Sequence, residues 1–356
     1  MTIPWVLRAE APSTIDVAGR ATVLHYGDIA GEYAALRTGA MLVDRSGRGR
    51  MRLDGPRATE MLTGLVTNDV HALGPGRGQY AAALTPKGKV IADIRIFARA
   101  GSLLLDVPPR ARAGFGEMVR KFVNPRLAPY HDVSDSIGDI GLYGPDALSL
   151  ATWASGIADD VLLALPAFGH AAAGDGVGEV IVARVPDLGL DGFELFVPSG
   201  TVERVWATLA ARGATPSGLM AWEIARIEAG RPEWGVDIDD STIPQEANMD
   251  DHHAISYTKG CYTGQEVVAR VHFRGHVNKQ LRGLLCGHSE PPPARAQLVD
   301  DSGKGVGDVR SSALSPRLGA VALAMVRREV EPGTTLRVQW DGGDTRADVA
   351  RLPFPL

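Results

Sequence analysis

Apolar and polar positions change period several times along the chain, and each change predicts an element. Residues 32–39 (EYAALRTG) carry helical spacing closed by a glycine, and 48–53 (RGRMRL) alternate as a strand. Asp54-Gly55-Pro56 opens a helix toward about residue 66, with an acidic cap and a proline in its first turn. After the loop TNDVHALGPGRG, strand-like runs at 79–84 and 89–98 flank Thr85-Pro86-Lys87-Gly88, a hairpin signature. Residues 103–107 read as a strand. Residues 109–122 read as a helix with Phe115, Met118, Val119 and Phe122 on one face.

The theme returns further on. IGDIGLYG reads as a strand, PDALSLATWA as a helix, GEVIVARV and GFELFVP as strands, and 201–212 as a helix. Residues 217–230 (SGLMAWEIARIEAG) form a further helix with a serine cap and a terminal glycine. Pro291-Pro292-Pro293 marks a linker, and short β-like runs follow at 296–299, 305–310, 319–326, 335–340 and 346–352, as in a small barrel. The predicted class is α+β. The expected domains are 1–135 and 136–279, two α+β units in tandem, and 280–356, a C-terminal β-barrel.

Composition narrows the function without naming it. With 45% hydrophobic and 22% charged residues, the 356-residue chain reads as an ordinary soluble globular protein of two or three domains. A net charge of -5 provides no global field for phosphate backbones, so a nucleic-acid partner is not expected. Cys261 and Cys286 are the only cysteines, too few for a disulfide framework or a four-cysteine metal site in one chain. The N-terminus has no secretory or import character, and no apolar run approaches the ~18–20 residues that span a bilayer. The expectation is a cytoplasmic protein with no membrane anchor.

The segment richest in chemistry is Lys259-Gly260-Cys261-Tyr262-Thr263-Gly264-Gln265-Glu266. Thr263 and Glu266 form the T-x-x-E of a capping box, which predicts a helix starting at Thr263. Cys261 then faces a helix N-terminus with Lys259 two residues away, a setting that favours thiolate over thiol. The competing reading is a small buried cysteine beside an ordinary cap. Cys286, in the apolar run LRGLLCG, reads as core.

Five of the nine histidines (His252, His253, His272, His276 and His288) fall near both cysteines, so Cys261, His272 and His276 are chemically able to hold zinc or iron, although their spacing matches no known ligand pattern. No metal ligand is assigned. Asp93 in VIADIRIF and Glu194 in GFELFV place carboxylates in apolar strands, where burial is costly without a partner. Arg226 and Glu228 in ARIEAG read equally well as a surface ion-pair network.

The order LTGLVTNDV, GKVIADIRIF, DGFELFVP, GLMAWEIARIEAG, KGCYTGQE and ALSPRLGAVALAMV resembles the folate-binding aminomethyltransferase superfamily, typified by the T-protein of the glycine cleavage system. KGCYTGQE resembles the hallmark of its YgfZ branch. The resemblance implies three domains in a cloverleaf around a central channel for tetrahydrofolate. It implies that Asp93 lies near the folate N10, that Glu194 reads the pterin ring, and that Arg226, Asn68 and Tyr80 line the channel. Where T-proteins carry two adjacent acids, this chain reads Ala92-Asp93. Where they carry a Y-T-G, it reads Pro186-Asp187-Leu188-Gly189.

Three readings follow. The first, implied by the YgfZ resemblance, is a tetrahydrofolate-binding accessory protein for iron-sulfur cluster assembly or repair. Its partners would be iron-sulfur client enzymes or assembly proteins, and Cys261, Lys259 and Asp93 would form the reactive group, with Gly260, Tyr262, Gly264, Gln265 and Glu266 shaping the motif. The second is a folate-dependent one-carbon transferase or demethylase, against which Ala92 argues. The third is a metal or cluster carrier using Cys261 and nearby histidines.

Overall fold

The structure, a computed structural model, describes residues 11–174, 178–287 and 290–355. His288 of the histidine group lies outside the described residues. The chain opens with a hairpin, β1 (Ser13–Val17) and β2 (Arg20–His25), then α1 (Ile29–Thr38), β3 (Met41–Asp44) and β4 (Gly49–Asp54). Next come α2 (Ala58–Thr63), β5 (Gly78–Leu84), β6 (Val90–Arg99), β7 (Ser102–Val107), α3 (Arg112–Phe122) and β8 (Tyr130–Asp132). The middle of the chain gives β9 (Ile137–Tyr143), α4 (Ala147–Ser155), α5 (Asp159–Leu163), β10 (His170–Ala173), β11 (Val180–Arg184) and β12 (Gly192–Pro198). It continues with α6 (Val202–Ala211), β13 (Thr215–Pro216), α7 (Leu219–Glu228) and α8 (Gln265–Arg274). The last six strands are β14 (Lys279–Leu285), β15 (Gln297–Val299), β16 (Gly305–Ser315), β17 (Gly319–Arg327), β18 (Thr335–Trp340) and β19 (Gly343–Ala350).

These strands build two open sheets and a barrel. One sheet runs β5-β6-β7-β4-β8, the other β10-β11-β12-β9-β3-β13, and β14-β17-β16-β15-β18-β19 close on themselves. Closure removes the exposed edges that a six-stranded sheet would otherwise leave. β3 comes from early in the chain yet pairs with β9, so the two open sheets are laced together rather than strictly sequential. The α+β class and the terminal barrel agree with the sequence. α7 packs in a core cluster shared by α1 and barrel residues Leu281, Ala313, Val321, Leu323 and Met325.

Three expected helix caps do not form. α2 has Arg57 at its N-cap without a side-chain cap bond, because Asp54 closes β4 and pairs with Arg52 at 3.0 Å. Ser217 donates to the carbonyls of Glu32 and Thr215. The Glu32 carboxylate reaches across instead and accepts from the Gly218 N–H at 2.8 Å, so this cap comes from α1. The capping box at Thr263 is also absent: α8 begins at Gln265 behind Gly264, with no side-chain cap. Gly264 has φ +81°, and a Cβ there would lie 2.6 Å from the Thr85 carbonyl and 3.1 Å from Gly88 Cα. The KGCYTGQE segment needs its glycine because the chain crosses the β5–β6 hairpin turn there.

Candidate functional site

Alternation along β6 places Asp93 and Arg95 on the same face of the strand, since side chains two apart share a face. Arg95 stands opposite Asp106 of β7, and Arg50 of β4 stands opposite the same aspartate. Arg95 Nη1 donates to Asp106 at 3.1 Å and to Glu194 Oε2 at 2.5 Å, while Nη2 donates to Asp187. Arg48 Nε donates to Asp106 at 2.6 Å, and Arg231 lies 3.1 Å from Asp187. Asp139 lies 3.7 Å from Arg50. This buried ionic knot ties β4, β6 and β7 of one sheet to β9 and β12 of the other.

The charges within it are unequal. Burial opposes the Arg95 charge, yet Asp187, Glu194 and Asp106 push its guanidinium well above the ordinary value. Burial also raises the Asp187 carboxyl, but Arg95, Arg231, Arg48 and Arg45 prevail and hold it well below the carboxylate range. Asp139 goes the other way: burial and Glu194 push it well up, and neither of its oxygens has a hydrogen-bond partner. With Arg45 3.9 Å from Glu194, five arginines (Arg45, Arg48, Arg50, Arg95 and Arg231) meet four carboxyl groups (Asp106, Asp139, Asp187 and Glu194), so the knot is rich in cations.

Asp93 sits at the edge of this group. Burial raises its carboxyl above the usual range despite Arg48, Tyr80 and Arg231. The Tyr80 hydroxyl donates to Asp93 Oδ2 at 2.9 Å, whereas buried Oδ1 has no partner. The Arg231 guanidinium lies 4.1 Å from the centre of the Tyr80 ring, and Phe168 stacks on that ring at 6.2 Å. Burial and Asp93 keep the Tyr80 hydroxyl well above its ordinary pKa. The pair therefore has a fixed phenol and a carboxyl with one free oxygen.

Asp93 helps to line a narrow cleft with Tyr80, Arg95, Asp187, Trp222 and Arg226, with about 20 Å³ of free volume. The cleft has room for about one water. A second cavity of about 320 Å³ shares Arg45, Arg48, Trp222 and Glu233 with it, a volume within the range of small-molecule sites. Its walls include Tyr26, Trp206, Val23, Val202 and Leu219, and its cations are Arg20, Arg45 and Arg48. The Arg45 guanidinium stacks 3.7 Å from the centre of the Trp222 ring. Buried Trp222 Nε1 and Arg45 Nε have no acceptor, so two residues shared by both cavity walls carry unused donors.

The expected residues fall into two groups. Tyr80, Asp93 and Arg226 share the cleft, and Glu194 stands behind Arg95. Both Glu194 oxygens are engaged, Oε2 by Arg95 and Oε1 by the Tyr143 hydroxyl at 2.6 Å. Gly192 lets Tyr143 come close, since a Cβ there would lie 2.0 Å from the ring. Arg226 is bonded to Glu223, Asp237 and the Arg231 carbonyl, so it braces the wall. Asn68 donates to the carbonyls of Tyr80 and His253.

Lys259 belongs to the second group. Its Nζ donates to the carbonyls of Thr63 and Val66 at 2.6 Å and of Asn68 at 3.0 Å. Burial lowers its pKa to about 8. The Thr263 N–H donates to the Gly64 carbonyl at 3.0 Å, so the motif is stitched to residues 63–68. Cys261 is exposed and Tyr262 buried. Neither cavity is lined by Cys261, Gly260, Gln265 or Glu266. Among the described residues no group of three or more His, Cys, Asp or Glu side chains is placed to hold a metal ion. His272 instead stacks on Tyr257 at 3.6 Å.

The residues that sequence reasoning missed are Arg45, Arg48, Arg95, Asp187, Trp222 and Arg231. One signal was available: Asp93 and Arg95, two apart in an otherwise apolar strand, had to share a buried face. Asp187 was visible only as a departure from a pattern. Arg231 and Trp222 gave no signal, because their neighbours come from distant parts of the chain.

Comparison with known proteins adds three findings. Residues 6–257 match the GCVT N-terminal domain, and residues 279–355 match the glycine cleavage T-protein C-terminal barrel domain. An aminomethyltransferase of Rubrobacter xylanophilus is 32% identical over 98% of this chain and 91% of its own length. One from Ralstonia nicotianae is 30% identical over 96% and 92%. The crystal structure of glycine cleavage system aminomethyltransferase T from Bartonella henselae superposes with a TM-score of 0.87 at 24% identity, covering 97% of this chain and 94% of that one.

Proposed function

Since the chain belongs to the glycine cleavage T-protein family, we propose that it binds a reduced folate in the joined cavities and passes a one-carbon unit to or from it, as an aminomethyltransferase does. The observation that carries this reading is Asp93, a buried carboxyl in the wall of the cleft with a raised pKa, one oxygen fixed by Tyr80 and the other without a hydrogen-bond partner. Tetrahydrofolate fits the residues present. Flat rings suit walls of Tyr26, Trp206 and Trp222, and an anionic tail suits Arg20 and Arg45. When bound, tetrahydrofolate supplies the nitrogens that carry the one-carbon unit.

The chain's own residues do the rest. Asp93 Oδ1 gives or takes a proton, a task suited by a carboxyl whose pKa has risen toward neutrality. Tyr80 holds the carboxyl and aims it. The arginine-rich knot supplies fixed cationic groups without reorganisation. Each Glu194 oxygen already accepts one bond, from Arg95 and from Tyr143, so a hold on a pterin edge uses the remaining lone pairs.

The test is anaerobic calorimetric titration of tetrahydrofolate, paired with an assay for methylenetetrahydrofolate formed from an aminomethyl donor. Micromolar binding is expected, weakened at least about tenfold, or about 1.4 kcal/mol, by Glu194→Ala. Asp93→Asn should bind within about threefold of wild type yet lose at least about 100-fold in transfer. No binding to the wild type would sink the reading.

A second reading rests on one observation of its own. KGCYTGQE presents Cys261 exposed, away from the cavity linings, and Ala92 replaces one acid of the T-protein pair. The YgfZ-type role in iron-sulfur cluster assembly or repair, with cluster enzymes as partners, is favoured by that loop. Cells lacking the protein and given Cys261→Ser should then fail to restore cluster-enzyme activity while folate binding persists. Full restoration would remove the thiol from any role.

A further inference from the structure

We propose that the exposed end of α8, around Arg270, Phe273 and Arg274, is a docking surface for an acidic segment of another protein that also carries an apolar side chain. The helix is poorly explained as a core element. Of its ten residues only Val268 is buried, and Phe273 is 66% exposed. Leaving a phenylalanine largely in water forgoes burial that a partner can recover.

Charge identifies the occupant. No Asp or Glu occurs from residue 267 to residue 289, although the chain as a whole is net -5. Arg270 and Arg274 lie one helical turn apart, on the same face. Among the described residues neither makes an ion pair. Some exposed arginines elsewhere do, as Arg57 with Glu60 and Arg112 with Asp132; what sets Arg270 and Arg274 apart is that they flank an exposed aromatic ring in a stretch without acids. Two unpaired guanidinium groups flanking an exposed aromatic ring match an acidic partner with one apolar anchor.

The surface is also held ready. His272 stacks on Tyr257 at 3.6 Å, the Tyr257 hydroxyl donates to Asp250 at 2.5 Å, and Gln245 donates to the Val268 carbonyl at 2.9 Å. Those ties fix the helix so that binding orders little more than the partner. They also engage His272 with Tyr257 and leave Phe273 largely exposed.

Fluorescence anisotropy with labelled peptides tests the proposal on the full chain. One probe is a short Glu/Asp-rich peptide containing leucine and tryptophan; the controls are a poly-glutamate peptide of equal charge and an oligothymidylate of equal charge. The acidic-apolar peptide should bind at least about tenfold tighter than either control. Arg270→Glu with Arg274→Glu should weaken it about tenfold, and Phe273→Ser about fivefold, with thermal melting unchanged. Equal binding of all three probes would mean a non-specific polyanion patch and overturn the proposal. So would binding unaffected by the substitutions, or no saturable binding.

Discussion

Asp93 is a residue whose burial costs stability. A carboxyl with a folded-state pKa above its unfolded value holds its proton longer when folded, so stability falls as pH rises from the unfolded value through the folded one. Above the folded value the full cost is present. Asp93→Asn removes it and still accepts from Tyr80, so the variant should melt no lower than wild type at pH 7. Paired with lost transfer activity, that result would separate a functional group from a structural one; a melting temperature several degrees lower would make Asp93 a packing residue. Lys259 predicts the reverse. Lys259→Met leaves three buried carbonyls without their donor and should cost about 2–4 kcal/mol in urea unfolding. Tetrahydrofolate affinity should barely change, because Lys259 does not line either cavity. At this scale the sequence was legible where charge broke an apolar strand, as at Asp93 and Glu194. It misled at Thr263, where T-x-x-E has the spacing of a cap but the left-handed Gly264 takes the N-cap position.

Elements were easier to read than their neighbours. Alternation revealed the β5–β6 hairpin and 3.6-residue spacing revealed α3 and α7, because both patterns reflect one buried face. The pairing of β3 with β9 was invisible, since nothing in MLVD specifies a partner almost a hundred positions away. Two loops and edges carry a testable pH dependence. His170 on β10 is pushed down to about 4 and His252 to about 3, in both cases chiefly by burial. Folded pKa values below the unfolded 6.5 mean that the unfolded chain binds more protons between pH 6.5 and about 4. Stability therefore rises with pH across that window and is lost on acidification. Between pH 7.5 and 5 the expected loss is about 4 kcal/mol in total, about 2 from each histidine. Urea midpoints at those two values check it, and His252→Gln should flatten the slope. A wild-type midpoint unchanged between pH 7.5 and 5 would mean that neither histidine is held neutral.

Two charged junctions make one molecule of three strand assemblies. The first is the arginine knot, which joins the open sheets beside the proposed folate site. The second centres on Glu228 at the end of α7, which accepts from the Tyr33 hydroxyl of α1 and, at 2.5 Å, from the Ser315 hydroxyl of the barrel. Arg37 and Arg317 approach it at 3.3 and 3.2 Å. Tyr33 is raised to about 12, by burial first and then by Glu228, so it stays a donor at any working pH. Because α7 and the barrel also share an apolar core, the barrel should not unfold alone. Glu228→Ala leaves two buried hydroxyls and two arginines without their acceptor, at a cost of about 3–5 kcal/mol. The loss should shift one cooperative transition. Far-ultraviolet circular dichroism and tryptophan fluorescence should then move together in urea, with coincident midpoints well below wild type. Separate midpoints would show the barrel to be an independent unit, and the proposed folate site would then owe nothing to its docking.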